Sequence, residues 1–135
     1  MSKMIRKTLS LVLALSLVYL MSASAFAANT FSDAREIEGG DVYASAYIDS
    51  GFSYAETGLN VAGFGEAGVT MSVRYDYSEG APDDPAYEYR SVTDLEYAYV
   101  SAYAQGRPFV RGYYDFYATT PSGGYYDYYG VVLQP

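Results

Sequence analysis

From Val92 to Leu133 tyrosines recur at alternate positions, interrupted at Gln105-Gly106-Arg107-Pro108 and Pro121-Ser122-Gly123-Gly124. A helix would scatter such rings around its circumference, whereas an extended strand places alternate residues on one face. Gly, Pro and Ser at the two interruptions supply reversals. The segment therefore predicts three strands in an antiparallel meander. In the first, Leu95, Tyr97, Tyr99, Ser101 and Tyr103 oppose Glu96, Ala98, Val100, Ala102 and Ala104. Apolar bulk on both faces points to a central strand. In the second, Val110, Gly112, Tyr114, Phe116 and Ala118 oppose Phe109, Arg111, Tyr113, Asp115 and Tyr117. In the third, Tyr125, Asp127, Tyr129, Val131 and Leu133 oppose Tyr126, Tyr128, Gly130 and Val132. Arg111 is placed to pair with Asp115 or Asp127 across the last turn.

The preceding chain has the same character. Val42, Ala44, Ala46 and Ile48 alternate with Tyr43, Ser45, Tyr47 and Asp49, the pattern of a half-buried strand. FSYAET and LNVAGFG, divided by Thr57-Gly58, read as two short strands, with Gly63, Gly65 and Gly68 marking a bulge or a close backbone approach. In Val69–Tyr77 the residues Val69, Met71, Val73, Tyr75 and Tyr77 face away from Thr70, Ser72, Arg74 and Asp76, as in a sheet with one wet side. Ser78–Ala86, with two prolines and three acids, reads as an exposed loop, and Tyr87–Val92 as an edge strand. Short strands at roughly 8–12-residue spacing predict a single all-β domain at 41–135, an antiparallel immunoglobulin-like sandwich of about seven strands. A small closed barrel is the alternative. Residues 28–40, polar apart from Phe31 and Ile37, read as a flexible N-terminal arm.

Lys3, Arg6 and Lys7 precede an apolar block from Leu9 to Met21 and the small residues SASAFAA. That order predicts a secretory signal peptide at 1–27, cleaved after Ala27. The block of thirteen residues is too short to span a bilayer, which takes about 20. The processed chain of 108 residues would carry five arginines, no lysine and sixteen acids, a net charge of −11. Such a surface repels nucleic acid and anionic membranes, and has the wrong sign for a bacteriocin that attacks them. With no cysteine there is no disulfide and no lipid attachment site, and no apolar tail ends the chain. The expectation is a protein released from the cell, with no membrane attachment after processing.

Neither His nor Cys occurs, which removes the common general base, the thiolate nucleophile and the usual zinc ligands. No phosphate-binding glycine motif is present. Catalysis would rest on carboxylates, as in a glycosidase, with Asp76, Asp94, Glu96, Asp115 and Asp127 in or beside strands. Sixteen acids guarantee close pairs without chemistry, so the chain reads as no enzyme and as needing no cofactor. Glu79, Asp83 and Asp84 share one loop that has oxygen ligands for calcium but no EF-hand spacing; no metal site is assigned.

Seventeen tyrosines follow Ala28, and tryptophan is absent. A tyrosine ring can sit half-buried with its hydroxyl in water, and β-propensity alone favours it in strands. Where both parities carry rings, as at Tyr113-Tyr114, Tyr125-Tyr126 and Tyr128-Tyr129, some must face outward. Tyr113, Tyr117, Tyr126 and Tyr128 are the candidate binding residues, a platform for a glycan or a protein surface. YYDYYGVVL is also β-prone, so a structural or self-assembling envelope protein is the competing class.

The leader, ASAYI at Ala44–Ile48 and GYYDFYAT with GGYYDYY between Gly112 and Tyr129 resemble a loose group of small secreted proteins from Gram-positive bacteria. The resemblance implies export and an immunoglobulin-like sandwich, and brings no assigned activity and no catalytic residue.

Overall fold

The computed structural model describes residues 28–76 and 87–135. The expected signal peptide at 1–27 and the acidic loop at 78–86, with its calcium question, lie outside the described residues. The described chain is all-β, with eight strands: β1 Thr30–Ile37, β2 Gly40–Ile48, β3 Phe52–Val61, β4 Glu66–Tyr75, β5 Tyr87–Leu95, β6 Tyr97–Tyr103, β7 Phe109–Thr119 and β8 Tyr125–Leu133. They form two antiparallel four-stranded sheets, sheet I in the order β1-β2-β3-β6 and sheet II in the order β5-β4-β7-β8. The chain crosses between sheets after β3, after β5 and after β6, while β3 pairs with β6 and β4 with β7. These interlocked pairs make an immunoglobulin-like Greek-key sandwich rather than a closed barrel.

The two inner faces differ in size. Sheet I contributes mostly small residues: Ala44, Ala46, Ser53, Ala55, Thr57, Ala98 and Ala102, with Val42, Ile48, Leu59 and Val100. Sheet II contributes Val69, Met71, Val73, Tyr75, Phe109, Tyr114, Phe116 and Tyr126. Large side chains set against small ones allow the two layers to interdigitate. Two buried hydroxyls tie the layers together. Ser53 Oγ lies 2.7 Å from the Tyr114 hydroxyl, and Thr57 Oγ1 donates to the Gly68 carbonyl at 2.8 Å. Burial pushes the Tyr114 phenol up to about 12, and among the described residues no buried side-chain polar atom lacks a partner.

The described fold departs from the sequence reading in several places. Thr30–Ile37, expected as a flexible arm, is a strand paired with β2 along its length. Phe31 stacks on Phe116 at 5.3 Å and meets Tyr128 at 4.9 Å, and Arg35 lies over the rings of Tyr126 and Tyr128. Thr120 Oγ1 donates to the Glu38 carbonyl at 2.6 Å, which fastens the β1–β2 turn to the β7–β8 turn. Phe52–Val61 is one strand and not two, because Gly58 continues the ladder.

The terminal meander is also corrected, since its first strand belongs to sheet I and is an edge, not a central strand. Glu96, in a left-handed conformation with φ 64°, kinks the chain between β5 and β6. Its N–H donates to the Gly65 carbonyl, and its carbonyl accepts from Leu59 N–H. The Gln105–Pro108 turn then carries the chain into sheet II, held by Phe109 N–H on the Ser50 carbonyl and by Asp76 N–H on the Pro108 carbonyl. In β8 a bulge breaks the parity after Tyr128. Gly130 has φ 74°, and its N–H donates to Asp115 Oδ1 at 2.8 Å, so Asp115 supports the bulge and not the expected Arg111 pair.

Phe31→Ala removes a ring that spans β1, β7 and β8, and the expected loss is about 2–3 kcal/mol of unfolding free energy in urea, somewhat below a fully buried Phe→Ala. A loss under about 0.5 kcal/mol, the size of a surface effect, would return β1 to the status of an arm.

Candidate functional site

Small residues on the inner face of sheet I leave its large ones outside. The register of β2, β3 and β6 places Tyr43, Gly58 and Tyr97 in one row across the outer face. The next rows hold Ser45, Glu56 and Tyr99, then Tyr47, Tyr54 and Ser101, and finally Phe52 beside Tyr103. Seven rings thus share one side of three strands. Tyr54 is their hub. It stacks with Tyr47 and with Tyr99, each at 6.0 Å, and meets Phe52 at 6.1 Å; Phe52 in turn meets Tyr103 at 4.8 Å. Tyr43, Tyr97, Tyr99 and Tyr103 are 44 %, 45 %, 42 % and 66 % exposed, so the platform keeps ring surface open to solvent. Gly58 is covered by the Tyr43 ring, which a Cβ at that position would strike.

Carboxylates sit within the platform. Glu56 accepts from Ser45 Oγ at 2.8 Å and from the Tyr97 hydroxyl at 2.5 Å. That hydrogen bond is the main reason the Tyr97 phenol is held well above its ordinary value, with burial and the Glu56 charge adding to it. At the rim, Asp49 accepts the Gly51 and Phe52 N–H groups and the Tyr47 hydroxyl at 2.7–2.8 Å, and its carboxyl is lowered by them. Ring faces carry negative electrostatic potential that suits polarised C–H groups, and carboxylates accept from hydroxyls. Together they match a ligand with apolar C–H faces and hydroxyl edges.

The four sequence candidates divide between two environments. Tyr113 and Tyr117 are half-buried on the outer face of sheet II. Tyr117 lies over Gly68 and its hydroxyl meets Thr93 Oγ1 at 2.7 Å and Glu66 Oε1 at 3.2 Å. Tyr126 and Tyr128 point inward. Tyr126, 3 % exposed, donates to Asp33 Oδ2 at 3.0 Å, and its phenol is raised by burial and by that bond. Tyr128 packs under Phe31. Both therefore leave the candidate surface, because inward parity in β8 falls on 126 and 128 before the bulge. The outer face of sheet II also bears Tyr87, Tyr89, Tyr125 and Tyr129, but among the described residues its rings meet only as Tyr87 with Tyr113 at 6.4 Å and through the Tyr125 and Tyr129 hydroxyls at 3.3 Å. Sheet I has the continuous platform.

No protein-family model, curated protein or solved structure matches the chain. Sequence reasoning had already put Tyr43 with Tyr47 and Tyr97 with Tyr99 and Tyr103 on common faces. Their union is hidden by the meander reading, which sets β6 beside β7 and not beside β3. Among the described residues no group of three or more acids is placed to hold a metal ion, and Asp76, Asp94, Glu96 and Asp127 are exposed.

Phenols raised above 10.0 at Tyr43, Tyr47, Tyr75, Tyr97, Tyr114, Tyr125 and Tyr126 mean that the folded chain holds those protons more tightly than the unfolded one. Their contribution is complete below about pH 10 and is lost as pH rises above it. Urea midpoints should be level between about pH 7 and 9 and fall steadily beyond 10. In Glu56→Gln, the Tyr97 transition in ultraviolet difference absorbance should move down toward the ordinary value; an unmoved transition would remove Glu56 as its cause.

Proposed function

We propose that this chain is a secreted, non-enzymatic binding module that holds a neutral polysaccharide against the outer face of sheet I. The observation that supports the reading is the ring network centred on Tyr54, with Glu56 inside it and Asp49 at its rim. Pyranose rings present C–H faces that stack on tyrosines and hydroxyl edges that donate to carboxylates, and a flat sheet face suits an extended chain. The net charge of −11 expected after processing and the carboxylates of the platform disfavour uronic acid, sulfated and phosphate-bearing polymers. The leader and the resemblance to small secreted Gram-positive proteins support an extracellular place for it. Recognition by rings and hydrogen bonds asks for no cofactor.

The test is affinity electrophoresis of residues 28–135 against neutral glucans, xylan and chitin, with alginate and hyaluronan as anionic comparisons. Retardation by at least one neutral polymer is expected. Tyr54→Ala should weaken it by about tenfold or more, the effect of losing a central aromatic anchor, and Tyr99→Ala by less. Tyr125→Ala on sheet II should bind as the parent does, and circular dichroism confirms that each variant is folded. Binding that survives Tyr54→Ala but is lost in Tyr125→Ala would move the site to sheet II, and retention only by anionic polymers would sink the proposal.

A further inference from the structure

Four strand edges end the two sheets, and three of them carry charge. β1 has Asp33, Arg35 and Glu36; β5 has Glu88, Arg90 and Asp94; β8 has Asp127 and the bulge at Gly130. Charges and bulges of this kind block edge-to-edge pairing. β6, Tyr97–Tyr103, is YAYVSAY, with no charge, no proline and no glycine.

Its backbone is arranged to pair again. β6 bonds β3 alone among the described strands. The carbonyl of Glu96 and the N–H of Ala104 bond Leu59 and Gly51. By alternation Ala98, Val100 and Ala102 also turn their N–H and C=O toward β3. The N–H and C=O groups of Tyr97, Tyr99, Ser101 and Tyr103 consequently point to the free edge. The strand is also close to a palindrome about Val100. A two-fold antiparallel pairing centred there sets Tyr97 against Tyr103, Ala98 against Ala102, Tyr99 against Ser101, and Val100 against itself. Like parity meets like, so inward residues stay inward and rings stay outward on both copies.

We propose that β6 pairs with β6 of a second copy of this chain, giving a closed dimer with one continuous eight-stranded sheet. The two aromatic platforms then lie side by side on one face. The strand itself brings no charge to the contact. Glu56 and its mate would stand three strand spacings apart, about 14 Å, beyond the roughly 8 Å screening length of physiological salt. The pairing does not depend on the polysaccharide reading and is tested without a ligand.

Sedimentation velocity of residues 28–135 from micromolar to millimolar concentration should show a reversible monomer–dimer equilibrium that tightens as salt is raised. Ser101→Lys places a charge opposite Tyr99 of the partner and should weaken the dimer by at least about tenfold. Ser91→Lys, on the already charged β5 edge, should leave it unchanged, and matching melting temperatures show both variants folded. A wild-type chain that stays monomeric throughout, a dimer unaffected by Ser101→Lys, or open-ended growth into fibres would each overturn the proposal.

Discussion

The alanine floor of sheet I governs the rest of the molecule. Ala44, Ala46, Ala55, Ala98 and Ala102 leave a shallow surface, and sheet II fills it with Tyr114, Phe116, Met71 and Phe109. A sandwich has a fixed thickness to fill, so one sheet's large residues demand the other's small ones. Period-two alternation then leaves the outward positions of β2, β3 and β6 free to carry rings, and in this chain they do. The outer platform and the core are two consequences of a single choice of which sheet holds the bulk.

Much of this was legible because strand periodicity survives in short segments. The alternations in Asp41–Asp49 and Val69–Tyr75 placed the correct residues inside. The meander is where the structure differs, because β6 pairs with β3 and not with β7. Two sheets in a Greek key are linked by crossings, and a crossing such as Gln105–Pro108 has the same glycine and proline content as a hairpin turn. The left-handed Glu96 at the other end of β6 is not a residue type that announces such a conformation. The Gly130 bulge was similarly hidden, since its cause is Asp115 fifteen residues away. β1 looked unstructured because its anchors, Phe116, Tyr126 and Tyr128, lie at the far end of the chain.

The candidate surface followed the same division. Tyrosines on both parities required that some rings lie outside, and that inference needed only local spacing. Choosing among them needed tertiary information. Tyr126 and Tyr128 are drawn inward by Phe31 and Arg35, while Tyr54 gains its central place from strands that flank it by non-local pairing.

The composition itself then has a structural account. Tyr47 donates to Asp49, Tyr75 to Glu88, Tyr97 to Glu56, Tyr117 to Glu66 and Tyr126 to Asp33, so five phenols from both sheets end on carboxylates. A hydrogen bond to a charged acceptor is shorter and stronger than one to a neutral group, so each such acid fixes a ring that would otherwise rotate at a solvent boundary. Phenylalanine could fill the same volume but would leave these rings unanchored, and lysine would compete with the phenols for the acceptors. A sheet protein that orients aromatic rings through their hydroxyls therefore has a use for acids beside those tyrosines. Five of the sixteen acids are thus tied to the way the rings are held, before any ligand is considered.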